Sequence, residues 1–142
     1  MTLRPSILTM LLMLATPSTT VAEPVASPSN AAPAFYDPIK KNVEGWTVAV
    51  DPRLLNDENR ELGERALKAL ANHLQRVTYI VEEDRLATLK KMKIWVDLEH
   101  SLDNMQYHPD RGWLIAHGHD PRLEKHIHIP RAQQLLDRRQ WS

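Results

Sequence analysis

Two stretches of the chain alternate apolar and polar residues with a period of two. In residues 45–51, Trp46, Val48 and Val50 fall on one side, Thr47 and Ala49 on the other, and Asp51-Pro52 ends the run, the pattern of a β-strand. In residues 92–98, Met92, Ile94, Val96 and Leu98 share one side and Lys93, Trp95 and Asp97 the other. A second strand is expected there, one face in the core and the other only partly covered. Between them Leu62, Ala66, Leu70, Leu74 and Val77 recur at steps of three and four, the apolar stripe of a helix that packs on a sheet. Asn56 is placed as its N-cap, with Asp57, Glu58 and Glu61 on the first turns, where the helix dipole favours negative charge. The helix is expected to run to about Gln75, with Gly63 inside it costing about 1 kcal/mol relative to alanine. A short extended piece at 78–81 and a two-turn helix at 83–90, with Leu86 and Leu89 inward, lead into the second strand. Strand, long helix and strand suggest a right-handed crossover unit.

Further along, Pro109 near the start and Gly118 just past the end favour a short helix around Trp113-Leu114-Ile115-Ala116 over a buried strand. Residues 125–129 read as a short strand, either interior or an exposed edge open to strand addition by a peptide. Pro130 suits the first position of a last helix carrying Ala132, Leu135 and Leu136. The fold class expected is α/β or α+β, a small mixed sheet with packed helices.

The amino-terminal residues break this patterning. Arg4 followed by the apolar run 7–15 and the small residues Thr20-Val21-Ala22 reads as a secretory signal over residues 1–22. That run is too short to span a bilayer, which takes about 20 apolar residues, so the protein is expected to be secreted or periplasmic with no transmembrane segment in the mature chain. Residues 23–34, rich in Pro, Ala and Ser, read as a flexible linker, and 35–142 as one small domain. Eighteen basic residues balance eighteen acidic ones, which gives no electrostatic reason to expect nucleic acid as a partner. The chain has no cysteine, so an exported domain of this size forgoes disulfides and must rely on packing, a metal or a further segment.

Candidate chemistry concentrates near the end. His117, His119 and Asp120 precede His126 and His128. On a strand, His126 and His128 would lie on one face about 6.6 Å apart along it, close enough to share a metal with His117, His119 or Asp120 completing the set. The alternative is a solvent-facing strand with histidines in the adjoining loop. Asp97, Glu99, His100 and Asp103 form a polar cluster at a strand end, read as solvated. Trp113 is read as a plug in the core, with Tyr107 hydrogen-bonding at its rim. The functional alternative has Tyr107 and His108 polarising a carbonyl or stabilising an oxyanion. The sequence contains neither His-Glu-x-x-His nor Gly-x-Ser-x-Gly, and no Gly-rich phosphate loop.

The block Tyr107, His108, Pro109, Arg111, Gly112, Trp113, Leu114 and Gly118, followed by a short strand and a helix, resembles a bacterial family of secreted zinc metallopeptidase-like proteins of the zincin type. The likeness extends over roughly residues 36–142. It implies a zincin-like scaffold in its amino-terminal portion, ending before the helix that bears His-Glu-x-x-His and its Zn2+. Without that motif the chain is expected to be inactive as it stands. In the complete relative, peptide or protein substrate would lie along a cleft formed partly by 107–129, with His108 and Tyr107 as catalytic candidates and Trp113, Ile127 and Ile129 as substrate contacts. The competing reading is a non-catalytic secreted module that binds a metal or a peptide, with His117, His119, His126 and His128 as metal candidates.

Overall fold

The computed structural model describes residues 35–137; the expected signal segment and linker lie outside them. Five strands form one mixed sheet: β1 (Ile39–Val43), β2 (Trp46–Val50), β3 (Lys93–Val96), β4 (Gln106–Tyr107) and β5 (His126–Ile129). Their order across the sheet is β1-β2-β3-β5-β4. β2, β3 and β5 run parallel at its centre, while β1 and β4 are antiparallel to their neighbours at the two edges. With α1 (Arg60–Ile80), α2 (Glu83–Leu89) and α3 (Arg111–Ala116), the class is α+β.

Both alternating stretches are strands, and the face assignments follow from them. Trp46, Val48, Val50, Ile94 and Val96 are buried together with Ile129 under Ala66, Leu70 and Leu74 of α1 and Ala132 and Leu135 of a terminal 3-10 turn. The opposite face carries a second, smaller core of Ala49, Trp95, Leu114 and Leu123, with Tyr36 packed against it. The face expected to be half covered is closed there by α3 and the turn Pro121–Leu123.

Several boundaries differ from the expectation. α1 begins at Arg60 with Asn59 as N-cap. Asn56 instead accepts a hydrogen bond from Asn59 N at 3.2 Å, behind the 3-10 turn Pro52–Leu55. The helix continues through the stretch expected to be extended, with Thr78 Oγ1 donating to Leu74 O at 3.0 Å and Tyr79 and Ile80 exposed. Gly63 is buried against that 3-10 turn, where a Cβ would collide with the Leu54 carbonyl, so close approach selects it. The segment after Pro130 forms 3-10 turns at Ala132–Leu136.

The β1–β2 hairpin was not foreseen. Val43 pairs with Trp46 across a two-residue turn, and both turn residues, Glu44 (φ 51°) and Gly45 (φ 88°), are left-handed, as a twist-compatible tight hairpin requires. At this same end of β2, Trp46 Nε1 donates to Leu89 O at 3.2 Å, tying the end of α2 to the sheet. Among the described residues, no helix is long and apolar enough to cross a membrane.

Candidate functional site

The polar residues of the second sheet face meet where β3 and β5 end. Strand alternation puts Trp95 and Asp97 on that face, and the β3–β5 register sets Trp95 opposite His128. Asp97 is anchored through its backbone, donating to Ile129 O at 3.0 Å and accepting from Ala132 N at 2.8 Å. Its carboxylate is therefore held in a fixed direction. Oδ1 accepts from Trp95 Nε1 at 2.9 Å and from the Tyr36 hydroxyl; Oδ2 meets His128 Nε2 at 2.7 Å.

His128 is fully buried, and its Nδ1 lies 3.1 Å from His108 Nε2. The network assigns the tautomers. With both rings neutral, His128 Nε2–H donates to Asp97 and its Nδ1 accepts from His108 Nε2–H. Asp97, His128 and His108 thus form one hydrogen-bonded line from the sheet to the rim of a cleft.

Electrostatics shifts two members of this line, Asp97 and His108, and the groups around them. Burial alone would raise the Asp97 pKa, but the hydrogen bonds from His128 and Tyr36 outweigh it and hold it below the usual carboxylate range. Burial and the adjacent Asp97 charge push the Tyr36 phenol up. Burial, with smaller contributions from His128, His119, His100 and His126, lowers His108 to about 4. Burial likewise lowers His100, His119 and His126. These four imidazoles are neutral at pH 7, hence usable as hydrogen-bond acceptors or ligands.

The cleft, of about 480 Å³, is lined by Gln106, Tyr107, His108, Pro109, Asp110 and Trp113. Asp110 caps α3 by accepting from Trp113 N at 2.6 Å. Trp113 is 42% exposed, so it is not the core plug expected; Leu114, the next residue, fills that role at 0%. The Trp113 ring stacks on His117 at 4.2 Å between centroids and lies 5.5 Å from His119 and 6.1 Å from His108.

Residues 125–129 lie inside the sheet, since β5 is paired on both sides, and the edge falls to β4. Of the residues named as substrate contacts, Trp113 lines the cleft. Ile129 is buried in the α1-side core and Ile127 packs against it, so both side chains sit on the opposite sheet face. Tyr107 is 47% exposed at the cleft and His108 is buried beside it.

The four histidines named for metal do not converge. His117 is exposed, with Nδ1 2.8 Å from Trp113 O. His126 packs edge-on against Trp95 at 5.5 Å, with Nδ1 2.9 Å from Glu124 O. His119 rests by Trp113 and His100. Asp120 caps the turn Pro121–Leu123 and pairs with Arg122 at 2.8 Å. Among the described residues, the donors that do come together are Asp97, His100 and His128, whose ligand atoms lie within 4.8 Å of one another. Sequence reasoning read Asp97 and His100 as part of a solvated strand end, whereas Asp97 is buried and His100 part-buried, and it missed Tyr36. The available signal was Asp97 itself, a carboxylate in strand phase with a tryptophan on a face that has to be covered. No family model, curated protein or solved structure matches this chain.

Proposed function

We propose that this chain is the amino-terminal, substrate-contacting part of a secreted zinc metallopeptidase-like scaffold, and that it holds an extended peptide against β4. The observation that carries this reading is a short antiparallel edge strand bordering an aromatic cleft. β4 ends the sheet, and His108 N donates inward to His126 O at 3.2 Å. Alternation along an antiparallel strand then turns the N–H and C=O of Tyr107 outward, where an incoming strand could pair with them. Tyr107 and Trp113 flank that edge with exposed aromatic surface, suited to alternate side chains of the bound peptide. His108, neutral and hydrogen-bonded to His128, gives the cleft one polar wall.

The family's water activation depends on a zinc held by His-Glu-x-x-His, a motif absent from these 142 residues, and the Asp97 cluster does not reproduce its spacing. What this chain's own residues supply is substrate contact.

The test is a 1H–15N titration with the extended peptide acetyl-(Val-Thr)3-amide. Expected are shifts concentrated at Gln106, Tyr107 and the Trp113 indole, and weakened binding in Tyr107→Pro, which removes the outward donor and leaves the inward bonds of the ladder in place. Shifts at β1 instead, or binding unchanged by Tyr107→Pro, would refute the edge assignment.

A further inference from the structure

We infer that Asp97, His100 and His128 form a mononuclear site for a first-row divalent cation such as zinc. The inference does not rest on the peptide-binding reading: it concerns different donor atoms and is tested by metal rather than peptide.

Three observations lead to it. First, the donors converge from two neighbouring strands' ends: Asp97 and His100 lie in the segment after β3 and His128 in β5, and their ligand atoms fall within 4.8 Å of one another. Second, two imidazole nitrogens and one carboxylate oxygen make a borderline donor set. That set suits zinc or cobalt with one coordination position left open, and it suits calcium or magnesium poorly because those ions take oxygen ligands.

Third, the partners that orient such ligands are already in place. Trp95 Nε1–H and the Tyr36 hydroxyl both hold Oδ1 of Asp97, which leaves Oδ2, paired only with His128 Nε2 at 2.7 Å, as the oxygen that would meet the metal. His108 Nε2 sits 3.1 Å from His128 Nδ1, where it can accept the N–H that a metal-bound imidazole must present on its other nitrogen. Carboxylate, backbone or side-chain partners of this kind are the usual support of histidine–metal sites.

The rearrangement on binding is small and its protons balance. Asp97 Oδ2 and His128 Nε2 stand 2.7 Å apart, and ligands about 2.0 Å from a tetrahedral ion are roughly 3.3 Å apart, so the pair opens by roughly half an ångström. The proton on His128 Nε2 is replaced by the metal and His128 becomes Nδ1–H; His108 shifts its own proton from Nε2 to Nδ1. Neither ring gains or loses a proton overall. His100 gives up the hydrogen bond that its Nδ1 accepts from Leu102 N at 3.1 Å, a contact in the part-buried loop.

The full chain, stripped with chelator, should be titrated with CoCl2 by visible absorption and with ZnCl2 by calorimetry. Expected are one equivalent bound, the intense visible bands of four-coordinate cobalt, and their displacement by zinc. His100→Ala, in a loop outside both cores, should weaken binding by more than the roughly 10–100-fold that loss of a supporting partner costs, and Tyr36→Phe should fall within that range. His117→Ala, outside the cluster, should bind as the parent does. Absence of stoichiometric binding would overturn the assignment. So would His100→Ala binding cobalt like the parent, or a loss produced by His117→Ala instead; circular dichroism confirms that each variant is folded.

Discussion

Replacing Gly63 by alanine sets two opposite effects against each other, and their magnitudes decide the sign. Helix propensity favours the change: glycine inside a helix costs about 0.8–1.0 kcal/mol relative to alanine, and α1 is 21 residues long. Packing opposes it. The added Cβ would fall on the carbonyl oxygen of Leu54, 2.9 Å from its carbon and 3.2 Å from its Cβ. Backbone is the obstacle, so no rotamer change relieves it. The turn Pro52–Leu55 must retreat, yet it is fixed by Asp51, which is buried and bonded to Arg53 N at 2.9 Å and Leu98 N at 3.2 Å, and by Leu54, 1% exposed in the main core. Overpacking a fitted core costs about 1–3 kcal/mol, and more when backbone must move. Packing wins, and the net expectation is a loss of about 1–2 kcal/mol, a fall of roughly 5–15 °C in Tm for a domain of this size. Urea unfolding followed by circular dichroism measures it, with the exposed Glu64→Ala as a control expected within about 0.5 kcal/mol of the parent. A Gly63→Ala protein as stable as the parent would mean that α1 does not rest on this turn.

Acid should destabilise the metal-free protein well above the carboxylate range. His108 titrates near pH 4 when folded and near 6.5 when unfolded. The stability it contributes is complete above about pH 6.5 and is lost as pH falls towards 4, because only the unfolded chain takes up the proton. His100, His119 and His126 act in the same direction; a urea midpoint unchanged between pH 7 and pH 4.5 would contradict it. Leu114→Ala, at a fully buried position of the smaller core, should cost about 2–5 kcal/mol by thermal denaturation, whereas Ile115→Ala, 58% exposed, should cost little.

Where an element presents one continuous apolar side to the main core, the sequence was readable. β2, β3 and α1 showed their periods because each presents one clean apolar side to the same core. β1 showed none, since four of its five residues are exposed and its existence depends on pairing with β2. The run Thr78-Tyr79-Ile80 looks extended by composition, yet the helix carries it through, because these residues each cost only about 0.5 kcal/mol relative to alanine in a helix. The site was legible only in part. His126 and His128 do share a strand face, but which imidazole meets a carboxylate is decided by the strand next door. The β3 register sets Trp95 opposite His128, and the side chains then meet on the diagonal, Asp97 with His128 and Trp95 with His126. Tyr36 precedes every element, and nothing local announces that its hydroxyl closes the network.

One four-residue phrase occurs twice, Asp51-Pro52-Arg53-Leu54 and Asp120-Pro121-Arg122-Leu123, and folds the same way each time. In both copies the aspartate accepts from the arginine amide, at 2.9 and 2.8 Å, grips the guanidinium, at 2.7 and 2.8 Å, and takes the leucine amide on its carbonyl, at 3.0 and 3.1 Å. The two copies stand in different settings: one leucine enters the core under α1 and the other the core on the opposite side of the sheet. A form that survives such a change of neighbours is written in the four residues themselves. The phrase behaves as a portable corner, a piece that could be cut from this protein and set into another wherever a chain must turn and bury one leucine.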